Sequence, residues 1–301
     1  MSNISTNVSN QYGRALEYSI VKEIVQQLQN QLELTPRATK DQERDSEHYW
    51  NLPSATQKNY QEAAALVYSW LADKLSSSSG IATLDRLPDS AGLGESADVT
   101  DIRISKNSFN INLSVKRNHK ALKHQRPSST AQQCAYPLGS QEDINFRERY
   151  TAVLNIFKSV VRDYSNFSEL DKRTIKDYLY KPICKLVVDF VNEYGKQYSH
   201  SNALFRFLVG NEGFYKITLF DKPLKKKHLL IQEFIDLPPA KSVSAKLLLT
   251  KYCNYIHLAF SNGWKMRIRL HTASSKIGDS ISLKFDTHIE GTVVPETKIY
   301  L

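Results

Sequence analysis

Cysteine is scarce in this chain. Its three residues, Cys134, Cys184 and Cys253, are odd in number and nowhere spaced as CxxC. That excludes a disulfide framework and a cysteine-based zinc site, and it suits a reducing compartment. Long apolar runs are missing too. No stretch approaches the ~20 residues needed to cross a bilayer, and Met1 to Asn10 lack the basic start and apolar centre of a signal peptide. The expected setting is soluble and cytoplasmic, with no membrane partner. What remains is an ordinary globular composition, 41% hydrophobic and 24% charged over 301 residues. Such a chain can bury a core without help from a metal or a disulfide.

The most informative absence is of acid. Between Ile102 and Gln141 there is no Asp or Glu against seven Lys or Arg, and the same holds between Leu237 and Gly278. The formal charge of +9 is thus concentrated in two blocks, and the remainder of the chain is net acidic. Segregated basic charge suits a polyanion partner, because each phosphate neutralised releases condensed counterions. A pair of solvated basic faces with no partner is the plainer alternative.

Thr100 to Ile104 and Ile111 to Lys116 alternate polar and apolar residues around the turn formers Lys106, Asn107 and Ser108, the pattern of a β-hairpin. Ile102, Ile104, Ile111, Leu113 and Val115 then share one face, and Asp101, Asn112, Ser114 and Lys116 the other. A carboxylate, a hydroxyl and an ammonium are set side by side. An acid on one strand and polar-x-Lys on the next is the layout of PD-(D/E)xK nucleases, a pattern of low specificity alone.

The run Lys116-Arg117-Asn118-His119-Lys120-Ala121-Leu122-Lys123-His124-Gln125-Arg126-Pro127-Ser128, with Asp98-Val99-Thr100-Asp101-Ile102 upstream, resembles the type II restriction endonucleases of the HaeIII family. The segments Trp264 to Leu270, Leu270 to Ser275 and Ser282 to Asp286 are similar to that family's closing segment. The resemblance implies an α/β (α+β) fold with a PD-(D/E)xK-type nuclease core, an added helical segment and C-terminal antiparallel strands. It implies a Mg²⁺-dependent endonuclease that cuts both strands of double-stranded DNA at a short palindrome such as GGCC. A cognate DNA methyltransferase that protects host DNA, and room for a homodimer, come with it.

In that scheme Asp101 holds the metal and Lys116 orients the attacking water or the phosphate. Ser114 stands beside them, where most nucleases of this class carry Glu or Asp; a neutral hydroxyl is a poor ligand for a hard dication. The second carboxylate is expected from Asp98 or Glu17. Only Asp101 has the parity of Ser114 and Lys116. Glu17 lies beside the apolar stripe of Leu16, Ile20, Ile24, Leu28 and Leu32, where an unpaired charge is costly, and Gly13 to Glu17 resembles the acid-bearing N-terminal helix of such folds. Pairing with Arg14 at the helix rim is the structural alternative.

The remaining chain reads as follows. Tyr12 to about Leu34 is a helix, Thr35 to Ser54 a polar connection, Gln57 to Leu75 a second helix, and Ser76 to Gly80 and Leu87 to Ser96 are loops. Asn118 to Gln125 reads as a short helix ended by Pro127, with Lys120, Lys123 and His124 toward phosphates and Arg117, Asn118, His119 and Arg126 in the same basic run. His119 and His124 are five apart and share no helical face, which argues against a zinc or HNH site. Thr151 to Tyr164, Ser168 to Leu179 and Pro182 to Gly195 are helices with no evident chemistry. Strands follow at 214–220, 229–235, 255–260, 265–271 and 281–285, with Asn262-Gly263 as a hairpin turn. In the fourth of these, Lys265, Arg267, Arg269 and His271 share one face that suits phosphates or guanine edges.

The expectation is one nuclease domain over 1–301, with a catalytic core at 1–150, a helical segment at 151–210 and a β-rich DNA-contacting segment at 211–301. A sequence-specific DNA-binding protein without catalysis would use the same basic faces. A Ser114/Lys116 hydrolase would need an oxyanion hole, for which the sequence offers no sign.

Overall fold

The computed structural model describes residues 3–76, 80–88, 98–107, 109–291 and 294–301. The loop residues expected at 77–79 and 89–96, and Ser108 of the expected turn, lie outside the described residues. The chain forms two compact units: Met1–Lys120 with Glu212–Leu237 and Val294–Leu301, and Ala121–Asn211 with Pro238–Val293. This grouping cuts across the three consecutive stretches expected from sequence.

The first unit is built on a seven-stranded mixed sheet in the order β1-β2-β3-β4-β6-β7-β12. Its strands are β1 (Leu32–Leu34), β2 (Ala82–Arg86), β3 (Ile102–Lys106), β4 (Phe109–Arg117), β6 (Phe214–Phe220), β7 (His228–Phe234) and β12 (Glu296–Tyr300). The β3/β4 hairpin has the expected parity, Ile102 opposite Leu113 and Ile104 opposite Ile111. These apolar side chains join Ile217, Leu219, Leu229 and Ile231 in one core with α1 (Asn3–Leu28) and α3 (Ser54–Ser76). Leu16, Ile20 and Ile24 are fully buried in it, as the four-residue stripe requires.

Two expectations fail here. The first helix ends at Leu28, and Leu32–Leu34 instead pairs in parallel with β2. The supposed connection after it holds α2 (Pro36–Trp50), capped by the Thr35 side chain with Pro36 in its first turn. Two of its four buried positions are the acids Asp41 and Asp45, so no apolar stripe betrays it.

The second unit carries a five-stranded sheet in the order β5-β11-β10-β9-β8, every pairing antiparallel. The strands are β5 (Lys123–Gln125), β8 (Val243–Leu248), β9 (Tyr255–Phe260), β10 (Lys265–Thr272) and β11 (Leu283–Ile289). Its helices include α4 (Thr130–Gln133), α5 (Gln141–Val160), α6 (Lys172–Ile175), α7 (Lys181–Tyr194) and α8 (Tyr198–Val209). The expected helix over 118–125 is absent: Asn118 takes a positive φ of 53° and residues 123–125 pair with β11. The helix expected from Ser168 begins instead as α6, capped by Asp171, and Pro182 sits inside a helical run that continues from it through a π turn at Lys176–Tyr180. Gly263, at φ 87°, closes the expected Asn-Gly turn between β9 and β10. Mixed helices and sheets agree with the α/β (α+β) expectation.

Candidate active site

In the first unit the polar face of the hairpin gathers at the ends of β3 and β4. Asp101 immediately precedes β3, and its Oδ2 accepts three hydrogen bonds: from Lys116 Nζ at 2.9 Å, from the Val115 backbone N–H at 2.6 Å and from Ser114 Oγ at 3.4 Å. The period-two pattern thus places Asp101, Ser114 and Lys116 together. Ser114 is a hydrogen-bond donor to the acid, not a substitute for a missing one.

Glu17 comes to the same place from α1. Burial, then the negative charge of Asp101, push its carboxyl up to about 7 against the opposing pull of Arg86 and Lys116. It pairs with Arg86, the last residue of β2, which also donates to Asp45 Oδ2 at 2.8 Å. Arg14 lies 3.9 Å from Asp45 instead. Burial alone would raise the Asp45 pKa, but the hydrogen bonds and charges of Arg44 and Arg86 hold it below the usual range.

Asp98 does not join this group. One of its oxygens accepts from the Thr100 N–H and the other from Arg103 at 2.6 Å, so it serves the hairpin as an ion-pair partner. The contacts of Asp98 thus run to Thr100 and Arg103, whereas Asp101 is the acid that meets Ser114 and Lys116.

Lys216 was not anticipated. It faces Ser114 across the parallel β4/β6 pair and is fully buried, its ammonium donating to the Lys120 carbonyl at 2.8 Å. Burial, aided by the charge of Lys116, pushes it down to about 7. The available signal was a lone charge in the apolar run Phe214-Tyr215-Lys216-Ile217-Thr218-Leu219-Phe220. Arg86 and Asp45 offered no such signal, since each makes sense only beside the other.

Glu17 and Asp101 both offer carboxylate oxygens, and they are close enough for one charge to raise the other's proton affinity. That donor set fits a hard divalent cation such as Mg²⁺.

The basic residues after the hairpin divide sharply. Arg117 is taken up by the fold: it donates twice to Asp221, at 3.0 and 2.9 Å, and lies over the Tyr12 ring at 4.4 Å. Asn118 binds the same Asp221. Lys123 is buried, its ammonium on the Phe207 carbonyl at 2.7 Å and pushed down to about 8 by burial. The polar groups of these three are thus engaged within their own units. His119 is half-buried, and Lys120, His124 and Arg126 are exposed.

In the second unit Lys265, Arg267 and Arg269 alternate with buried Met266, Ile268 and Leu270. The face is less purely basic than sequence implies. Asp286 stands opposite Arg269 in register, Arg267 lies 3.7 Å from Glu290, and His271 Nε2 is 3.1 Å from Asp286 Oδ1.

A family model described as HaeIII restriction endonuclease matches residues 13–293 of this chain. The type II restriction enzyme HaeIII of Haemophilus aegyptius is 26% identical over 335 aligned positions, covering 98% of each chain. No solved structure matches significantly.

Proposed function

The chain belongs to the HaeIII restriction endonuclease family, a family of type II site-specific deoxyribonucleases, and from that premise we propose that it cuts double-stranded DNA at a short palindrome, GGCC being the first site to test, with Mg²⁺ as cofactor. The observation that carries the reading is the contact of Asp101 Oδ2 with Lys116 Nζ at 2.9 Å, with the Asp101 charge bearing on Glu17.

Asp101 and Glu17 would hold the metal. When bound, it would neutralise charge on the scissile phosphate and lower the pKa of a bound water. Lys116, anchored by Asp101, would present its ammonium to that water or to a phosphate oxygen, where a preorganised positive charge favours the transition state over the ground state. Ser114 and the Val115 N–H fix the Asp101 carboxylate, so the acid does not reorganise as charge develops. Arg86 positions Glu17 from behind, with Asp45 balancing its charge.

On this reading the first unit carries the chemistry. The second contributes DNA contacts through Lys265, Arg267, Arg269 and Arg126, and Lys120 adds one from the first. A cytoplasmic setting, a cognate methyltransferase guarding host DNA and a dimer matched to a palindrome complete the proposal. Among the described residues no helix is long and apolar enough to cross a membrane.

Incubation with plasmid DNA tests it. Discrete fragments that need Mg²⁺ and share the ends of a GGCC digest support the proposal in full, and discrete fragments with other ends change only the site. Intact plasmid that is nevertheless bound would overturn catalysis in favour of DNA binding alone.

A further inference from the structure

In the second unit, three neighbouring strands bring together His124 of β5, Asp286 of β11 and His271 of β10. Asp286 is opposite His124 in the strand register and diagonal to His271. Both imidazoles converge on one carboxylate oxygen: His124 Nδ1 lies 2.6 Å and His271 Nε2 3.1 Å from Asp286 Oδ1. One ligating atom from each residue falls within 4.8 Å of the other two. Sequence spacing could not show this, since His124 and His271 are far apart along the chain and are joined only through β11.

The orientation of His271 is informative. Its Nδ1 is 3.0 Å from the Thr272 carbonyl, so that nitrogen carries a proton and donates it. Nε2 then faces the Asp286 carboxylate either with a lone pair or with a second proton. A lone pair against a carboxylate is repulsive unless a proton or a metal ion stands between them. Metal-bound histidines commonly hold their other N–H on a backbone carbonyl in this way.

We infer that His124, His271 and Asp286 form a three-ligand site for a borderline divalent transition metal, Zn²⁺ in the first instance. Two nitrogens and one oxygen suit Zn²⁺, and not Mg²⁺, which prefers oxygen alone. The half-exposed His124 leaves access for the ion and for a water as fourth ligand. A bound ion would tie the three-residue strand β5, where the chain has just entered this unit, to the sheet at β10 and β11. Binding displaces a proton from any charged imidazole, so affinity should rise with pH across the histidine range.

The test uses the purified full chain, stripped with chelator and given Zn²⁺ alone or Co²⁺ alone. About one Zn²⁺ per chain should survive gel filtration in the parent and in Asp101→Asn, and excess Mg²⁺ should not displace it. His124→Gln and His271→Gln should each weaken binding by at least the ~10–100-fold that loss of a second-shell partner causes. Zn²⁺ should raise the parent's Tm and leave that of the two histidine variants unchanged. No retained Zn²⁺, retention unaltered in both histidine variants, or retention lost in Asp101→Asn would overturn the assignment. If the histidine variants fail to fold, the parent's Co²⁺ spectrum decides: intense visible bands indicate a four-coordinate nitrogen-containing site, and the weak bands of six-coordinate oxygen ligation contradict it.

Discussion

The two units handle charge in opposite ways. In the first, acids and bases are drawn inward and held by one another: Arg86 and Asp45 are almost wholly buried, Glu17 sits against Arg86, and Asp101 against Lys116. In the second, β10 keeps its apolar residues inside and turns Lys265, Arg267 and Arg269 toward solvent, with Glu290 and Asp286 partly offsetting them. Buried opposite charges cost desolvation and are retained where a fixed field is useful, whereas exposed cations cost little and attract a polyanion from a distance. Chemistry in one unit and attraction in the other is the division this implies.

The sharpest way to break that division is at the hairpin. Asp101→Ala and Lys116→Ala should each lower cleavage by on the order of 10²–10³-fold or more, with far-UV circular dichroism unchanged. Asp98→Asn, by contrast, should leave turnover near the parent's, because that acid is paired with Arg103. Equal losses from Asp98 and Asp101 would mean that the metal ligands have been misassigned.

The next largest effect concerns stability. Arg86→Met leaves Glu17 and Asp45 without their shared partner, and breaking a buried pair in this way costs roughly 3–5 kcal/mol. Urea denaturation would measure it. A loss below about 1 kcal/mol would show that this cluster is better solvated than its burial indicates.

Lys216 gives a pH signature. Its folded pKa, about 7, lies below the value of 10.5 expected unfolded. Between those values the unfolded chain binds the extra proton, so stability from this group rises with pH through that window and is flat below it. Lys216→Met should lose the rise, which denaturation midpoints at pH 6, 8 and 10 would reveal. An unchanged midpoint series would mean that the ammonium stays charged.

The smallest effect belongs to β10. Arg267→Ala and Arg269→Ala should each lower the slope of log K against log salt by about one unit if they touch phosphate. A guanine contact would instead cost about 1–3 kcal/mol at the specific site alone. Lys123→Ala should change neither, since its ammonium is turned inward.

What was legible follows from the range of each interaction. The hairpin, the α1 stripe and the β9/β10 turn are local patterns, and period two brought Asp101, Ser114 and Lys116 together. Glu17 was visible as an anomaly, but its partner Arg86 is 69 residues away and could not be read from helix spacing. Helix α2 was missed because its buried positions include Asp41 and Asp45, which satisfy burial by pairing with arginines rather than by being apolar. Strand β5 was read as a helix because three residues carry too little pattern, and only pairing with β11 decides their conformation. The basic run 116–126 looked uniform, yet Lys123 proved to be buried and Arg117 paired within its unit, a distinction made by the Phe207 carbonyl and by Asp221.

The division of labour is tested most directly by assaying binding and single-turnover cleavage of one GGCC duplex side by side in Asp101→Ala and Arg269→Ala. The account predicts that Asp101→Ala binds DNA and does not cut it, while Arg269→Ala binds more weakly but cuts at a near-parental rate once saturated. Cutting by Asp101→Ala, or loss of the saturated rate in Arg269→Ala with binding intact, would contradict it.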